Sequence, residues 1–250
     1  MMDKTQPSAA FIAIGNELLS GRTQDKNLNF LALALVDHGI KLCEARFIRD
    51  DESVIIETVR ELTRIYDYVF TSGGIGPTHD DITAQAVADA FGVDLPINKQ
   101  AYSVLDAYYQ VQDKPFTPER QRMARIPVGA NLINNPVSIA PGFNIENLFV
   151  MAGVPAIFKG MVEQTMPSLT RGADFHSKSL TAFLAESVVT TPLAKIADQF
   201  IQCEIGCYPT WGFDRPMITL VVRSTDPQAV ADAVAAIEAM IETITATAQR

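Results

Sequence analysis

The residues best suited to chemistry lie between Thr71 and Asp81, where a glycine-rich stretch ends in two aspartates. Because Gly73, Gly74 and Gly76 carry no Cβ, the backbone there can approach a ligand closely, and the helix expected next would direct unpaired N–H groups at an anion. The stretch lacks the Lys-Ser/Thr of a P-loop and the glycine spacing of Rossmann dinucleotide-binding domains. It therefore predicts a phosphate-binding loop of another kind, in which N–H groups of the three glycines bind phosphate, unless the glycines only shape a tight turn.

Two consecutive carboxylates, Asp80 and Asp81, end this loop. One of them could cap the following helix. A second carboxylate would repel bound phosphate unless a divalent cation lay between them, and carboxylates plus substrate phosphates are the usual ligands of Mg²⁺. We therefore predict that Asp80 and Asp81 are catalytic and hold a divalent metal (Mg²⁺, Mn²⁺ or Co²⁺), with Glu17 as a third ligand or as an acceptor for loop amides. The other predicted phosphate contacts are Thr71, Ser72, Thr78 and His79, with His79 as a hydrogen-bond donor or a general acid.

Strands and helices alternate along the N-terminal part of the chain. Strands are predicted at Ala10–Ile14, Lys41–Ile48 and Tyr68–Thr71, and helices at Leu28–Val36, Val54–Leu62 and Ile82–Phe91. Strands joined by helices pair in parallel, and right-handed crossovers place the helices on both faces of the sheet. Ligands of such doubly wound α/β sandwiches bind beyond the carboxyl ends of the strands. We therefore expect the phosphate loop, the Gly15–Gly21 turn and Asp50-Asp51, interpreted as helix caps, to meet at one crevice.

The remaining sequence predicts a cover for the crevice and a second domain. Residues 98–126 are predicted to form a helical excursion, in which Arg120, Arg122 and Arg125 are a solvated face or a phosphate clamp. A polar stretch at Arg171–Ser179 indicates a boundary, so we predict a domain over residues 8–170 and a small α+β domain over residues 178–250. Further strands are predicted at Asn131–Asn134, Asn147–Met151, Leu180–Val189 and Met217–Arg223, and helices at Val154–Leu169 and from Thr191-Pro192 and Asp226-Pro227.

The composition of the chain restricts the classes of partner and the cellular compartment that we expect. The net charge of -9 argues against a nucleic-acid partner, because affinity for nucleic acids comes largely from Lys and Arg. The apolar run Phe11–Ile14 is too short for a signal peptide or a membrane span, so we expect a cytoplasmic protein with no membrane partner. Three cysteines do not suit a disulfide framework, and we predict that Cys43, Cys203 and Cys207 are buried thiols.

The segment Thr71–Thr83 resembles the signature of the molybdopterin-binding (molybdenum cofactor biosynthesis) domain family. Within that family it is most similar to the branch that forms the N-terminal domain of the competence/damage-inducible protein A, and to the related domain of eukaryotic FAD synthases. Further segments that resemble this branch are Ile14–Gly21, Asn135–Phe143, Gly153–Pro155, Cys207–Pro209 and Met217–Arg223. The resemblance therefore spans nearly the whole chain.

The resemblance implies a three-layer α/β sandwich with a mostly parallel sheet that binds a phosphorylated pterin or nucleotide. It also implies an essential aspartate at Asp81, molybdopterin as a possible ligand, and a homo-oligomer, either a dimer or a trimer. The pocket residues expected in this way are Gly15, Asn16, Glu17, Ser20, Asn135, Ala140, Pro141 and Gly142.

Two activities compete within the resemblance. Members devoted to cofactor synthesis adenylylate molybdopterin with ATP and Mg²⁺, whereas the similar branch includes metal-dependent pyrophosphatases acting on ADP-ribose or FAD. The adenylylating members usually have a basic residue before the key aspartate, where this chain has Asp80. A second carboxylate suits a metal better than a triphosphate. We therefore expect hydrolysis of a nucleoside diphosphate-linked substrate of the ADP-ribose or FAD type; the alternative is molybdopterin binding or adenylylation.

Overall fold

The computed structural model describes residues 6–210 and 215–248. The chain divides into two units, Met1–Gly172 and Ala173–Arg250. Of the domain predicted over residues 178–250, residues 211–214 and 249–250 lie outside the described part of the chain.

A six-stranded sheet forms the centre of the first unit, with the strand order β2-β1-β3-β6-β5-β4. The strands are β1 Ser8–Ile14, β2 Lys41–Ile48, β3 Tyr68–Ser72, β4 Asn131–Ile133, β5 Gly142–Ile145 and β6 Leu148–Met151. Strands β2, β1, β3 and β6 pair in parallel, and β5 and β4 continue the sheet antiparallel at one edge. Phe11 of β1 lies opposite Phe70 of β3, and neither is exposed. Central strands covered on both faces are expected to be this apolar.

Helices cover both faces of this sheet. They are α1 Asn16–Leu19, α2 Asn27–Asp37, α3 Glu52–Ile65, α4 Thr83–Phe91, α5 Lys99–Val111, α6 Pro118–Gln121 and α7 Pro155–Thr165, with short 3-10 helices at Arg122–Ala124 and Met166–Ser168. Helices α3, α4 and α5 pack on one face, and α2 and α7 pack on the other. In α3, Ile55, Val59 and Leu62 recur at helical spacing and are fully buried, so one stripe of the helix faces the sheet. The predicted three-layer α/β sandwich with a mostly parallel sheet is confirmed.

Strand β5 is an element that the sequence pattern did not predict. The dipeptide Pro141-Gly142 is typical of a turn, but Gly142 begins the strand. A Cβ on Gly142 would collide with the carbonyl oxygen of Val150 on β6, so the close approach of the two strands requires glycine there. The hairpin between β5 and β6 turns at Glu146, which has a φ of 50°. Antiparallel pairing at this edge follows from the short connection.

The second unit contains a three-stranded antiparallel sheet in the order β7-β9-β8, with helices packed against it. Its elements are β7 His176–Ala182, α8 Glu186–Gln199, β8 Glu204–Thr210, β9 Met217–Ser224 and α9 Pro227–Ala248. Alternate residues of β9 are buried, as expected for a strand with one face on a core. The small α+β architecture is confirmed.

The prediction of a single strand over Leu180–Val189 is wrong. Strand β7 ends before the middle of that segment, and the last residues of the segment belong to α8. Val189 favours a strand locally, but it packs with Leu193 in the core of the second unit, four residues later on the same helical face. Pro192, expected at the start of a helix, consequently lies inside α8.

The thiols also differ from expectation. All three cysteines are free; Cys43 is exposed, while Cys203 and Cys207 are half-buried, so the prediction of buried thiols is wrong. Desolvation nevertheless raises the pKa values of Cys203 and Cys207 above that of an ordinary thiol. Among the helices described, none has the length and apolar content needed to span a membrane.

We expect Pro192→Ala to stabilise α8. The proline has no N–H to donate to the carbonyl of Val188, and its ring crowds the preceding turn. Alanine should therefore raise the free energy of opening of α8 by about 1–3 kcal/mol, measured by hydrogen exchange of the helix amides. Thr191→Ala, an exposed neighbour that changes no backbone donor, is the control. Equal or faster exchange in the proline variant would contradict this account.

Two fully buried threonines offer a contrast between an unpaired and a paired hydroxyl. The Oγ1 of Thr71, on β3, has no hydrogen-bond partner among the described residues. The Oγ1 of Thr83, at the start of α4, donates to the Gly73 carbonyl at 3.1 Å. Both side chains are fully buried, and valine has nearly the same shape as threonine.

The two valine substitutions should therefore change stability in opposite directions. Thr71→Val removes a desolvated group without a partner and should raise the free energy of unfolding by about 1 kcal/mol; Thr83→Val removes a hydrogen bond and should lower it by about 1 kcal/mol. Urea unfolding measures both, provided that the slope with denaturant stays constant. A loss of stability in Thr71→Val would show that its hydroxyl has a partner in solution.

Candidate functional site

The loop after β3 is fixed to three neighbouring elements through two glycines. Gly73 and Gly74 have φ values of 111° and 71°, a region that favours glycine. A Cβ on Gly73 would collide with the carbonyl oxygen of Ile14 at the end of β1, and one on Gly74 would collide with the hydroxyl of Thr83. The N–H of Gly73 donates to the carbonyl of Met151 at the end of β6, at 3.0 Å. These contacts fix the conformation of the backbone between β3 and α4.

Three consecutive N–H groups of this loop are available to a ligand. Within the described residues, the N–H groups of Gly74, Ile75 and Gly76 have no acceptor. The N–H of Gly73 was predicted to bind phosphate, but it donates to the carboxyl end of β6 instead. The N–H of Ile75 is available in its place. Unpaired N–H groups in succession form an anion-binding concavity.

Asp80 and Asp81 meet at the hydroxyl of Thr78. The Thr78 Oγ1 lies 2.6 Å from Oδ2 of Asp81, and it also contacts Oδ1 of Asp80. A hydroxyl has one proton and can donate to one carboxylate at a time. Asp81 Oδ2 also accepts the Thr78 N–H at 2.8 Å, and it would lie 2.7 Å from a Cβ on Gly76. The two carboxylates are therefore close together, and the single hydroxyl proton of Thr78 cannot be donated to both at once.

Hydrogen bonding favours the ionised form of Asp80. Its pKa lies below the ordinary aspartate value, chiefly because the Thr78 hydroxyl and its own backbone N–H stabilise the charged form, with a smaller contribution from His79. The His79 ring is almost fully exposed, with Nδ1 3.9 Å from Asp80 Oδ1. His79 therefore lies outside the loop's concave side.

A cavity of about 620 Å³, the main cavity, opens beside this loop. Its volume is in the range of ligand pockets. The predicted site residues that line it are Gly15, Glu17, Gly73, Gly74, Gly76, Thr78, Asp80, Asp81, Asn135 and Ala140. Four carboxylates line it, those of Glu17, Asp50, Asp80 and Asp81, and the described lining includes no Lys or Arg. The net charge of the described lining is therefore negative.

Two residues predicted to contact phosphate lie beneath the loop instead. Thr71 is fully buried in the sheet, and Ser72 is 3% exposed. The Ser72 hydroxyl accepts a hydrogen bond from Asn27 Nδ2 at 2.7 Å, and the same amide donates to the carbonyl of Gly153 at 2.8 Å. Asn27 thus connects the end of β3 to the loop after β6. These residues support the site from below.

Asn16 and Ser20 were predicted to line the pocket, and both lie outside the main cavity. The N–H of Asn16 donates to Asp50 Oδ2 at 2.8 Å, and the Ser20 hydroxyl donates to the carbonyl of Glu17 at 3.2 Å. Their hydrogen bonds stabilise the turn that carries Glu17. Asp50 is therefore an anchor for that turn, whereas Asp51 alone caps α3.

Asn135 organises the opposite wall. It is 2% exposed, and its Oδ1 accepts the N–H groups of Val137 and Ser138, each at 3.0 Å. Its Nδ2 donates to the Ser138 hydroxyl at 2.7 Å and to the Ala140 carbonyl at 2.8 Å. One side chain therefore holds the whole turn that faces the loop.

A second cavity, of about 170 Å³, borders the first and is called the side chamber below. Its charged and polar lining is Asp81, Gln85, Arg122 and Arg125, and Pro141 contributes to its wall. Gly142, the last predicted pocket residue, is buried in β5 and lines neither cavity. The sequence indicated a basic cluster, yet nothing in the spacing of its arginines predicted that two of them adjoin Asp81.

The metal ligands predicted from the sequence are only partly brought together. Asp80 and Asp81 share one hydroxyl, but within the described residues no three His, Cys, Asp or Glu side chains are grouped closely enough to hold a metal ion. Glu17 therefore belongs to the same cavity without joining the pair in one cluster. Two carboxylates beside unpaired N–H donors could hold a divalent ion that also takes oxygen ligands from a bound phosphate.

We expect Thr78→Val to raise the pKa of Asp80 toward the ordinary value. A depressed pKa stabilises the folded state above the unfolded-state pKa, and this contribution is lost as pH falls through the folded-state value, below about 3.8. Removing the hydroxyl should shrink this contribution and move the titration of Asp80 to higher pH, as read from the Asp80 carboxyl resonance. Thr23→Val, in the same cavity without a hydrogen bond to Asp80, should leave the titration unchanged. An unaltered Asp80 titration in Thr78→Val would refute the assignment.

Two family models match this chain. The one described as "Probable molybdopterin binding domain" covers residues 10–171, and the one described as "FAD synthase, middle domain" covers residues 174–249.

Relatives and a solved structure agree with these matches. A protein from Archaeoglobus fulgidus is 32% identical over 202 residues, 81% of this chain and 86% of the relative. A protein from Pyrobaculum calidifontis is 32% identical over 231 residues, 88% of each chain. The structure of the protein CinA, with unknown function, from Thermoplasma acidophilum is 31% identical, with a TM-score of 0.61 over 66% of this chain and 98% of that chain. This chain therefore belongs to the molybdopterin-binding domain family, in its CinA-like branch, and its second unit is similar to the FAD synthase middle domain.

Proposed function

We propose that this chain is a metal-dependent pyrophosphatase that cleaves the diphosphate of a nucleoside diphosphate-linked compound of the ADP-ribose or FAD type. The observation that carries the proposal is the pair Asp80 and Asp81, converging on the Thr78 hydroxyl beside the unpaired N–H groups of Gly74 to Gly76. N–H groups that can donate hydrogen bonds to phosphate therefore lie beside carboxylates that can bind a metal, in one cavity. That combination suits hydrolysis at phosphorus.

Each part of the loop has a distinct role in the proposed reaction. The N–H groups of Gly74, Ile75 and Gly76 bind phosphate oxygens and orient the diphosphate. Asp80 and Asp81 would hold a divalent ion, and when bound it would polarise the phosphate and lower the pKa of an attacking water. Thr78 holds both carboxylates in place and keeps Asp80 ionised.

Water is the co-reactant in the proposed hydrolysis. The water oxygen forms a bond to one phosphorus while the bridging P–O–P bond breaks toward the other phosphate, which leaves with the electron pair. ADP-ribose would give AMP and ribose 5-phosphate, and FAD would give AMP and FMN. The proton released by the water passes to a cavity carboxylate or to solvent.

The negative field of the main cavity supports a metal shared with substrate. Four carboxylates would repel a diphosphate, and a divalent ion reverses that repulsion. Both matched models concern pterin- or flavin-nucleotide-related domains, so a nucleotide or molybdenum-cofactor type of function fits the family at a coarser level. Molybdopterin binding or adenylylation by ATP is the alternative within that range.

The decisive assay measures AMP release from ADP-ribose and from FAD, with Mg²⁺, Mn²⁺ or Co²⁺ and after chelation by EDTA. We expect turnover that requires the metal. Asp81→Asn and Asp80→Asn should each reduce it by at least about a hundredfold, because the charge that holds the metal is lost while the amide can still accept hydrogen bonds. Asp37→Asn, an exposed residue on α2, removes the same charge far from the loop and should retain full turnover.

Other outcomes separate the alternatives. No metal-dependent AMP release from either compound, combined with adenylylation of molybdopterin by ATP, would replace the hydrolase with the transferase. Binding of molybdopterin with neither reaction would establish a binding protein. Full turnover in Asp81→Asn would move the chemistry away from this loop.

A further inference from the structure

The side chamber is lined by cationic side chains, whereas the described lining of the main cavity includes none. Arg122 and Arg125 reach it from the short 3-10 helix and the residue after it, and much of the remaining wall is hydrocarbon, including Ile82 and Phe143. Both arginines are half-buried. A guanidinium placed between apolar walls loses part of its hydration, so it favours an anionic partner there.

No carboxylate in the described part of the chain forms an ion pair with these arginines, although the carboxylate of Asp81 lines the same chamber. Arg125 Nη2 donates to the Gln85 amide oxygen at 2.9 Å, and neither arginine forms an ion pair with a carboxylate. Asp81 borders the chamber, but its Oδ2 is occupied by the N–H and hydroxyl of Thr78. The remaining guanidinium N–H groups are therefore available to a ligand.

Arg120, the third member of the basic cluster predicted from sequence, shows how a structural arginine differs. Its Nη1 donates to the carbonyl of Pro115 at 2.5 Å, and its guanidinium lies over the Tyr109 ring, 4.5 Å from the centroid. It lines neither cavity. Two of the three arginines thus face a cavity without an acidic partner, while the third is used in packing.

The side chamber and the main cavity share Ile75, Gly76, Met123 and Asp81 in their lining. A ligand held by the N–H of Gly76 can therefore place a neighbouring group in the chamber. The planar guanidinium groups match the oxygens of a phosphate, which they can bind in pairs.

We propose that the side chamber is a phosphate-binding subsite, in which Arg122 and Arg125 bind a phosphate group beside Asp81. Gln85 orients Arg125 through its amide oxygen. The phosphate is either the end of a phosphomonoester whose remainder lies in the main cavity, or free inorganic phosphate. This binding requires neither a metal nor turnover, so it goes beyond the proposed hydrolysis.

The test uses inorganic phosphate and AMP as probes, titrated by calorimetry into the full chain in EDTA. We expect saturable binding and a shift of the Gln85 side-chain amide resonance as each probe is added. Arg122→Gln and Arg125→Gln should each weaken binding by about tenfold, because each removes charge-assisted hydrogen bonds. Arg64→Gln, an exposed residue on α3, removes the same charge elsewhere and should bind as the unaltered protein does.

The two probes identify the source of the phosphate. Tighter binding of AMP than of inorganic phosphate supports a phosphomonoester that spans both cavities, while equal affinities support free phosphate. Binding by the loop N–H groups alone would leave the arginine variants unaffected, and that result would overturn the proposal, as would no binding of either probe. Thermal unfolding of each variant checks that it is folded. Because no metal or substrate is present, failure here is separate from failure of the Asp81→Asn assay.

Discussion

The close approach of two glycines to their neighbours determines the geometry of the site. Gly73 lies against the carbonyl oxygen of Ile14 and Gly74 against the hydroxyl of Thr83, with no space for a Cβ at either position. A left-handed backbone costs other residues about 1–2 kcal/mol even where space exists. Since the chain leaves β3 at this point, the next N–H groups turn away from the sheet and toward the cavity. The positions of Asp80 and Asp81 follow from the same turn, because α4 must begin where Thr83 meets Gly74.

Charge is arranged in two zones around this turn. The main cavity holds four carboxylates, the side chamber holds two arginines, and Asp81 borders both. A diphosphate entering the main cavity would be repelled by these carboxylates, which solvent screens only in part, unless a cation came with it. In the proposed function, substrate and metal therefore bind as a unit, whereas the arginines act on a different phosphate. Under both proposals, such a division would let a chain with a net charge of -9 hold an anion.

Local patterns predicted the first unit well because its elements are strongly periodic. The strand Lys41–Ile48 was predicted with the bounds that the structure has, and the helix over Leu28–Val36 lies within α2. Strand β5 was missed because Pro-Gly usually marks a turn, and only its contact with β6 shows why glycine begins a strand. The segment Leu180–Val189 was misjudged for a related reason, since its packing in the core outweighs the strand preference of its valines.

The candidate site was predictable where it is continuous in sequence and unpredictable where it is assembled. Gly74, Gly76, Asp80 and Asp81 lie within one loop, so their types and order already indicated phosphate and metal. Asp50 looked equivalent to its neighbour, yet one of the pair caps α3 while Asp50 holds the turn that carries Glu17. An arginine on a helical segment is usually solvated, and its identity does not reveal whether an acid pairs with it. What distinguishes Arg122 from Arg120 is the surrounding tertiary structure: one lines an apolar chamber beside Asp81, and the other lies over a tyrosine ring.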